Sequence, residues 1–522
     1  MLQETRLGWV VAGKLSSPST IATKLCHLSR STLEDAVRKF WETEELPTRR
    51  IFSPEEEECE KHYQQTVIRL PSGHYAVKLP FNDNKNRLGE SHGLALKRLQ
   101  GLERRLSANA KLYEESRSFL KEYEELGHMS RIENASIQES YFLPHHAVLK
   151  DSSNTTRLRV VFDVSARTTT GHSLNDTLLT GPVLQRDLFS VVTRFRLHNI
   201  VFTADIEKMF RQVYMQEDDR RFQRILWRDN PQEAVRTYQL NTVTYIISSN
   251  VYSTTGRGGR ATTLSRSGRS SKTRYVHGRS SNRSKYVRAS ARVEDSASLL
   301  KWGGFHLRKW ASNHSRFNEG TDNKAEEHVS LDFADTHKTL GVLWNQQQDC
   351  LLYRVNIRPH GDKVTKRTIL AQIASLYDPL GLLGPVIVKA KILLQILWKL
   401  KVGWDEQIPT EICDQWKTYL NSLEELNNIT FPRQVCTTQV ASLQLHGFAD
   451  ASEAAYGACL YIRSTRFDQT YHTALVCSRS RIAPLKKLTL PRLELCAALV
   501  LAQLCQAVLK AFGISFDRVI LW

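Results

Sequence analysis

Leu443–Ser464 reads LQLHGFADASEAAYGACLYIRS, and the chain continues with YHTALVCSRSRI (471–482), LPRLELCAALVLAQLCQAVL (490–509) and RVILW (518–522). These runs scan as three strands, a helix and a fourth strand, which makes the C-terminal part a mixed α/β unit. The first strand closes on Asp450, and the helix opens with PRLEL, which carries Glu494. Upstream, WGGFHLRKWASN (302–313), KTLGVLWN (338–345) and the long run from Lys366 to Glu406 supply strands followed by amphipathic helices. Before them lie short β-rich runs, YFLPHHAVLK (141–150), TRLRVVFDVSA (156–166) and NIVFTADIEKMFRQVYM (199–215). In the last of these, Val201, Phe202 and Ala204 predict a buried strand that ends on Asp205. A carboxylate at the C-terminal end of a buried strand is where α/β active sites are assembled, although an Asp there also reads as a helix cap or turn residue. From about Ser31 to Met129 the chain reads as helical. Ser31 and Glu34 are candidates for a capping box, Leu33, Val37, Phe40 and Trp41 share a face, and leucines recur at three- and four-residue spacings up to Gly127. These helices read as a scaffold or linker with no chemistry of their own.

A length of 522 residues predicts about three or four domains, and 41% hydrophobic with 24% charged residues is ordinary for globular protein. The formal net charge of +18 suits a polyanionic partner such as nucleic acid. That excess is local: between Arg236 and Val293 stand eleven Lys and Arg and no acid, and without them the charge is about +7. Nine cysteines occur without CxxC pairs or histidines spaced as zinc ligands, the pattern of free thiols in a reducing compartment. The N-terminus MLQETRLGWVVAG lacks a basic region followed by a long apolar one, and no uncharged apolar run approaches the ~20 residues of a membrane helix. The expectation is a soluble, intracellular chain with no membrane partner.

Eight runs in fixed order, YFLPHHAVLK, RLRVVFDVSA, SLNDTLLTGP, VFTADIEKMFRQV, GGFHLRKWASN, IASLYDPLGLLGPV, FADASEAAYGA and SRIAPLKKLTLPRLELCAAL, resemble the polyprotein of Bel/Pao-type long-terminal-repeat retrotransposons. The resemblance covers nearly the whole chain apart from roughly residues 246–297. It implies an α/β (α+β) fold: a reverse-transcriptase palm, fingers and thumb, with an N-terminal helical linker and a truncated ribonuclease H-like C-terminal unit. The layout implied is a protease remnant at 1–13, where TRLGWVVAG looks like the last strand of a retroviral-type aspartic protease. A helical linker at 14–130, fingers and palm at 131–328, thumb and connection at 329–435, and the ribonuclease H-like unit at 436–522 complete it. No Asp-Thr-Gly or Asp-Ser-Gly occurs, so the protease's catalytic part is missing.

In such a polymerase two magnesium ions, held by palm carboxylates, activate the primer 3′-hydroxyl and stabilise the leaving pyrophosphate. By resemblance Asp205 is the first of those carboxylates, and Phe210 matches the position that packs under the sugar and excludes a 2′-hydroxyl. Lys150 and Arg159, flanking the finger-like hairpin KDSSNTTRLR, are placed to grip the incoming triphosphate. Each is also readable as a solvated hairpin charge. The ribonuclease H resemblance makes Asp450 the first and Glu494 the second of four acids around two magnesium ions, with Glu494 facing inward from its helix; without the PRLEL context Glu494 reads equally as a helix-surface acid. The family's third acid follows the strand VILW within two residues, and the chain ends at Trp522. Implied partners are an RNA template and DNA primer, or an RNA–DNA hybrid, in the cytoplasm, within virus-like particles in the family.

The palm's second and third carboxylates belong to a Tyr-x-Asp-Asp turn, due between Tyr245 and Trp302, and that turn is absent. In its place Ser271–Ser284 reads SKTRYVHGRSSNRS, rich in Arg and Ser and free of acids. The genetic code offers an explanation. Arg274–Arg283, RYVHGRSSNR, can be encoded as CGA TAC GTA CAT GGA CGA TCT TCT AAC CGG. One base onward the same string spells Asp-Thr-Tyr-Met-Asp-Asp-Leu-Leu-Thr-Gly, the family's turn. The same step at Thr254–Arg260 permits Gln-Leu-Ala followed by acidic residues. Codon choice is free, so this is compatibility; a basic nucleic-acid-binding insert and a regulatory Arg/Ser tract are the competing readings. The expectation is an ancestral RNA-directed DNA polymerase with ribonuclease H, inactive in this chain, the alternative being a non-catalytic basic nucleic-acid-binding remnant.

Overall fold

The computed structural model describes residues 2–5, 8–11, 52–133, 136–149, 158–182, 187–244, 295, 297–314, 328–330, 342–355, 363–374, 376–437 and 440–522. Residues 1–45 and 46–522 form two units. In the first, β1 (Leu2–Thr5) and β2 (Gly8–Val11) make an antiparallel hairpin that contains Trp9. The sequence expectations at Lys150, at Ser31–Trp41 and over nearly all of residues 246–297 lie outside the described residues.

The second unit begins with α1 (Pro54–Thr66), opened by a capping box in which Ser53 Oγ accepts from the Glu56 N–H at 3.2 Å. The Glu56 carboxylate returns a bond to the Ser53 N–H at 2.9 Å. β3 (Ile68–Arg69) and β4 (Tyr75–Val77) follow, then α2 (His92–Ser107) and α3 (Ala110–Glu125). The helical reading of 31–129 is therefore corrected at 68–77, where strands too short to carry a period interrupt it. The helices are not a bystander scaffold: Leu99, Leu106 and Leu120 join one core with Phe142, Phe162 and Met215. Around that core run β5 (Met129–Ile132), β6 (His145–Leu149), β7 (Leu158–Phe162), α4 (Leu188–Phe195), β8 (Phe202–Ile206), β9 (Val213–Met215), α5 (Glu217–Arg220), β10 (Arg224–Trp227) and β11 (Arg236–Leu240). β4 pairs in parallel with β9, β6 pairs with β7, and β8 pairs antiparallel with β12 (Leu307–Ser312).

A middle sheet of β13 (His328–Ser330), β14 (Val342–Asn345), β15 (Cys350–Tyr353) and β16 (Thr430–Pro432) is interrupted in sequence by α6 (Lys366–Ala374), α7 (Gly384–Lys399) and α8 (Thr410–Leu423). The C-terminal sheet contains β17 (Val440–Ala451), β18 (Ala455–Arg466), β19 (Tyr471–Ile482) and β20 (Arg518–Leu521), in the order β19-β18-β17-β20. The first three form a meander; β20 runs parallel to β17, which requires the crossover supplied by α9 (Leu490–Phe512). Three strands, a helix and a fourth strand were legible in the sequence, and they stand here in that order. α9 is also the one described helix long and apolar enough, by length and composition, to cross a membrane, although Arg492, Glu494 and Lys510 lie within it. Its Leu493, Ala497, Leu501 and Leu504 are buried, as in a core helix over a sheet. Segment 379–381 lies along the outer edge of β19: Ser478 N–H donates to Leu380 O at 2.9 Å and Arg479 Nη2 to Pro379 O at 3.0 Å. That cover shields one of the two edges from pairing with another chain.

All eight described cysteines are free, and burial pushes Cys477 and Cys436 up to about 12, so these thiols are inert at neutral pH. Burial likewise pushes His145, 7% exposed beside Phe162 and Trp227, down to about 4, with His146 adding to the effect. His128 is driven to about 4 by burial and by Arg211 and Lys208. Between pH 6.5 and about 4 the unfolded chain therefore binds more protons than the folded one, and stability falls as pH drops through that window. The urea midpoint is expected to fall over this range, by up to about 1.4 kcal/mol of stability per pH unit for each such histidine. A His145→Phe variant should show a distinctly shallower fall; an unchanged slope would remove His145 from the account.

Candidate functional site

Asp450 is the penultimate residue of β17, directly opposite Gly457 of β18, which is opposite Ser480 of β19. β19 runs parallel to β17, so the chain leaves it and enters α9 at the end of the sheet that carries Asp450. α9 crosses β17 at Gly447: a Cβ there would lie 2.6 Å from Leu501 Cδ1, 2.7 Å from Leu521 Cδ2 and 2.9 Å from Leu460 Cδ2, so a larger residue would have to displace these methyls. From that crossing point Glu494 lies seven residues back along α9, about 10 Å. Asp450 lies three residues forward along β17, also about 10 Å. The fold thus brings both carboxylates to one end of the sheet, from elements 44 residues apart in sequence.

Both acids are exposed. For Glu494 this corrects the inward-facing expectation, because Leu493 and Ala497 occupy the stripe against the sheet and leave Glu494 on its flank. By strand alternation Asp450 shares the parity of Phe448, whose ring stacks with Trp522, and not that of Gly447 beneath α9. Its Oδ1 accepts the N–H of Ala451 at 2.9 Å.

Residues 365–522 match the family model of the Pao retrotransposon-like RNaseH-like domain. Residues 365–522 thus carry a Pao retrotransposon-like RNaseH-like domain. The match begins at α6, so it takes in helices that the sequence analysis assigned to a thumb or connection. No curated protein matches the sequence. An RNaseH-like domain implies nucleic-acid substrates, and such domains typically use Mg2+. Among the described residues no group of three or more His, Cys, Asp or Glu is arranged to hold a metal. Two exposed carboxylates do not fit a two-ion centre by themselves, since each ion takes several oxygen ligands; no step through magnesium is derived from them.

The first-strand aspartate of the other expected site sits elsewhere. Asp205 is in β8, opposite Arg308 of β12 in a two-stranded ladder. Val201 is buried, Phe202 and Ala204 are half-buried, and Asp205 is exposed. The strand is thus half-buried rather than buried, and among the described residues β8 pairs with β12 alone. Arg308 does not meet Asp205 but pairs with Glu207, Nε to Oε2 at 2.6 Å. After Ile206 the chain turns at Lys208, whose φ of 46° is left-handed and whose Nζ bonds Glu122 Oε1 at 2.5 Å. That hydrogen bond holds the Glu122 carboxyl below its ordinary value. Phe210 follows in a short 3-10 helix, half-buried against the main core. Arg159 is in β7 opposite Val148 of β6.

Sequence reasoning passed over the polar knot beneath these sites. Arg433 is 0% exposed, with Nε 2.5 Å and Nη2 2.7 Å from the two Asp349 carboxylate oxygens. It also donates to Phe195 O at 2.6 Å and His198 O at 2.7 Å, capping the C-terminal carbonyls of α4. Asn313 completes the knot, donating to Asn199 O at 2.7 Å and to Asp349 Oδ2 at 3.1 Å. Arg196, 1% exposed, reaches Val476 O of β19 at 2.5 Å and Pro432 O at 2.9 Å. Burial pulls its guanidinium down to about 10, so it stays charged at neutral pH. These partners lie more than 230 residues from Arg196 or Arg433 in several cases, and no local pattern announces them.

Proposed function

We propose that this chain derives from an RNA-directed DNA polymerase joined to a ribonuclease H, and that as written it engages nucleic acid without completing either reaction. On this reading Asp205 is the surviving palm carboxylate, Phe210 the residue that discriminates the sugar, and Lys150 and Arg159 the triphosphate grip. Asp450 and Glu494 are the first two acids of the ribonuclease H centre, and the working compartment is the cytoplasm. The observation that carries the reading is the sheet order β19-β18-β17-β20 with α9 as its crossover, which sets the strand end with Asp450 and the helix start with Glu494 toward one end of the sheet. The expected partner is an RNA–DNA hybrid, held through its phosphates by a chain of formal charge +18.

A filter-binding titration with a labelled RNA–DNA hybrid tests this. Affinity is expected to fall about tenfold or more between 50 and 200 mM salt, the signature of phosphate contacts that release counterions. The RNA strand should stay intact in Mg2+, and Asp450→Asn should bind at least as well as the parent. Salt-insensitive binding, or none, would remove nucleic acid as the partner; cutting of the RNA strand that Asp450→Asn abolishes would overturn the loss of activity.

A further inference from the structure

The structure holds an exposed indole in an unusually fixed position outside the RNaseH-like domain. Trp302 is 66% exposed. One face of its ring is covered by the Arg69 guanidinium, 3.7 Å from the ring centroid, and the same guanidinium lies 5.5 Å from the Tyr75 ring. Arg69 also donates from Nη2 to Trp302 O at 3.1 Å and from Nε to Gly73 O at 3.2 Å. The two turns interlock through glycine. At Gly73, φ +88°, a Cβ would lie 2.3 Å from Trp302 O; at Gly304, φ +81°, it would lie 2.3 Å from the His74 ring. No L side chain fits either place, so the turn before β4 and the turn before β12 are pressed together, with Trp302 on the outside.

A large apolar ring left in water gains nothing for folding, and a mobile one would turn its surface inward. Here one face is stacked by a cation and the other is open, and among the described residues Arg69 pairs with no carboxylate. An exposed aromatic face beside a cation, Trp302 with Arg69, is the arrangement by which proteins stack a base of a single strand and neutralise its phosphate, while Tyr75 packs against the main core. The position also matters. Glu207 N–H donates to His306 O at 2.9 Å, extending the β8/β12 ladder past Asp205, and Trp302 precedes His306 by at most about 14 Å of chain. We propose that Trp302 and Arg69 form a binding site for single-stranded nucleic acid, one base stacking on the free indole face and a phosphate meeting the guanidinium. This goes beyond the hybrid-binding reading, which rests on residues 365–522, and stands or falls separately from it.

Fluorescence anisotropy of the full chain with a labelled oligo(dT) 20-mer, and with a hairpin duplex of the same length, tests the site. Trp302→Ala is expected to weaken binding of the single strand about tenfold, the loss of one stacked base, while Trp302→Phe stays within about threefold of the parent. Arg69→Ala should lower the slope of log affinity against log salt by about one. Duplex binding should change by less than about twofold in all three. Parental affinity of Trp302→Ala for oligo(dT), or equal losses on single strand and duplex, would overturn the proposal. Retention in Trp302→Phe alongside loss in Trp302→Ala separates a stacking role from damage to the fold, which the thermal midpoints of the variants check directly.

Discussion

Arg433→Ala is expected to destabilise the protein by about 3–5 kcal/mol, the cost of breaking an ion pair whose guanidinium is fully buried and whose carboxylate, Asp349, is largely enclosed. The substitution strips both carboxylate oxygens of Asp349 of their guanidinium and uncaps the carbonyls of Phe195 and His198 at the end of α4. Arg433→Lys should recover little of this, because an ammonium cannot serve the two Asp349 oxygens and the carbonyls with one planar fork. The measurement is urea unfolding of the full chain followed by far-UV circular dichroism. Asp349→Ala combined with Arg433→Ala is expected to cost less than the two single losses added together, since each partner alone leaves the other unpaired. An Arg433→Ala midpoint within error of the parent would show that the knot contributes nothing. The stakes are functional as well as structural. The carbonyls that Arg433 binds lie on residues 195–199, the segment feeding β8 and Asp205, while Arg196 in that segment reaches β19 of the RNaseH-like domain.

Purified protein with a primed template and Mg2+ is expected to give no extension. A version in which the register of residues 254–293 is advanced by one base, so that Arg274–Arg283 becomes Asp-Thr-Tyr-Met-Asp-Asp-Leu-Leu-Thr-Gly, should raise templated incorporation at least about a thousandfold. That factor is the order expected when carboxylates that place two metal ions restore several kcal/mol of transition-state stabilisation. Asp205→Ala in the restored version should return the rate to background. Extension by the chain as written that Asp205→Ala removes would overturn the inactive reading. A restored version that folds but does not extend would count against a slipped register and in favour of a basic segment taken at face value.

The C-terminal sheet was readable because its three long strands and its helix carry repeating apolar patterns, and because the short apolar run VILW marks the last strand even though it buries no face. Elements without a period were missed. β3 and β4 have two and three residues, too few to alternate, and they vanished into a helical reading. Phe202 and Ala204 are half-buried and not buried, because an apolar run marks a strand without saying what covers its faces. The inward placing of Glu494 came from the family resemblance alone; burial of Leu493 and Ala497 puts that acid on the exposed flank of α9.

By itself the sequence determined the order of elements from Leu443 onward and the two acids that close the first strand and open the helix. It also determined the concentration of positive charge between Arg236 and Val293 and the absence of a paired aspartate turn there. Those are local properties, written in neighbouring residues. Only the tertiary structure decided that Gly447 lets α9 cross where it brings Asp450 and Glu494 to one end, that Arg196 and Arg433 tie residues 195–199 to strands more than 230 positions away, and that Arg69 holds Trp302 in the open. Each depends on groups that meet because the chain folds back on itself, and no spacing along a sequence encodes such a meeting.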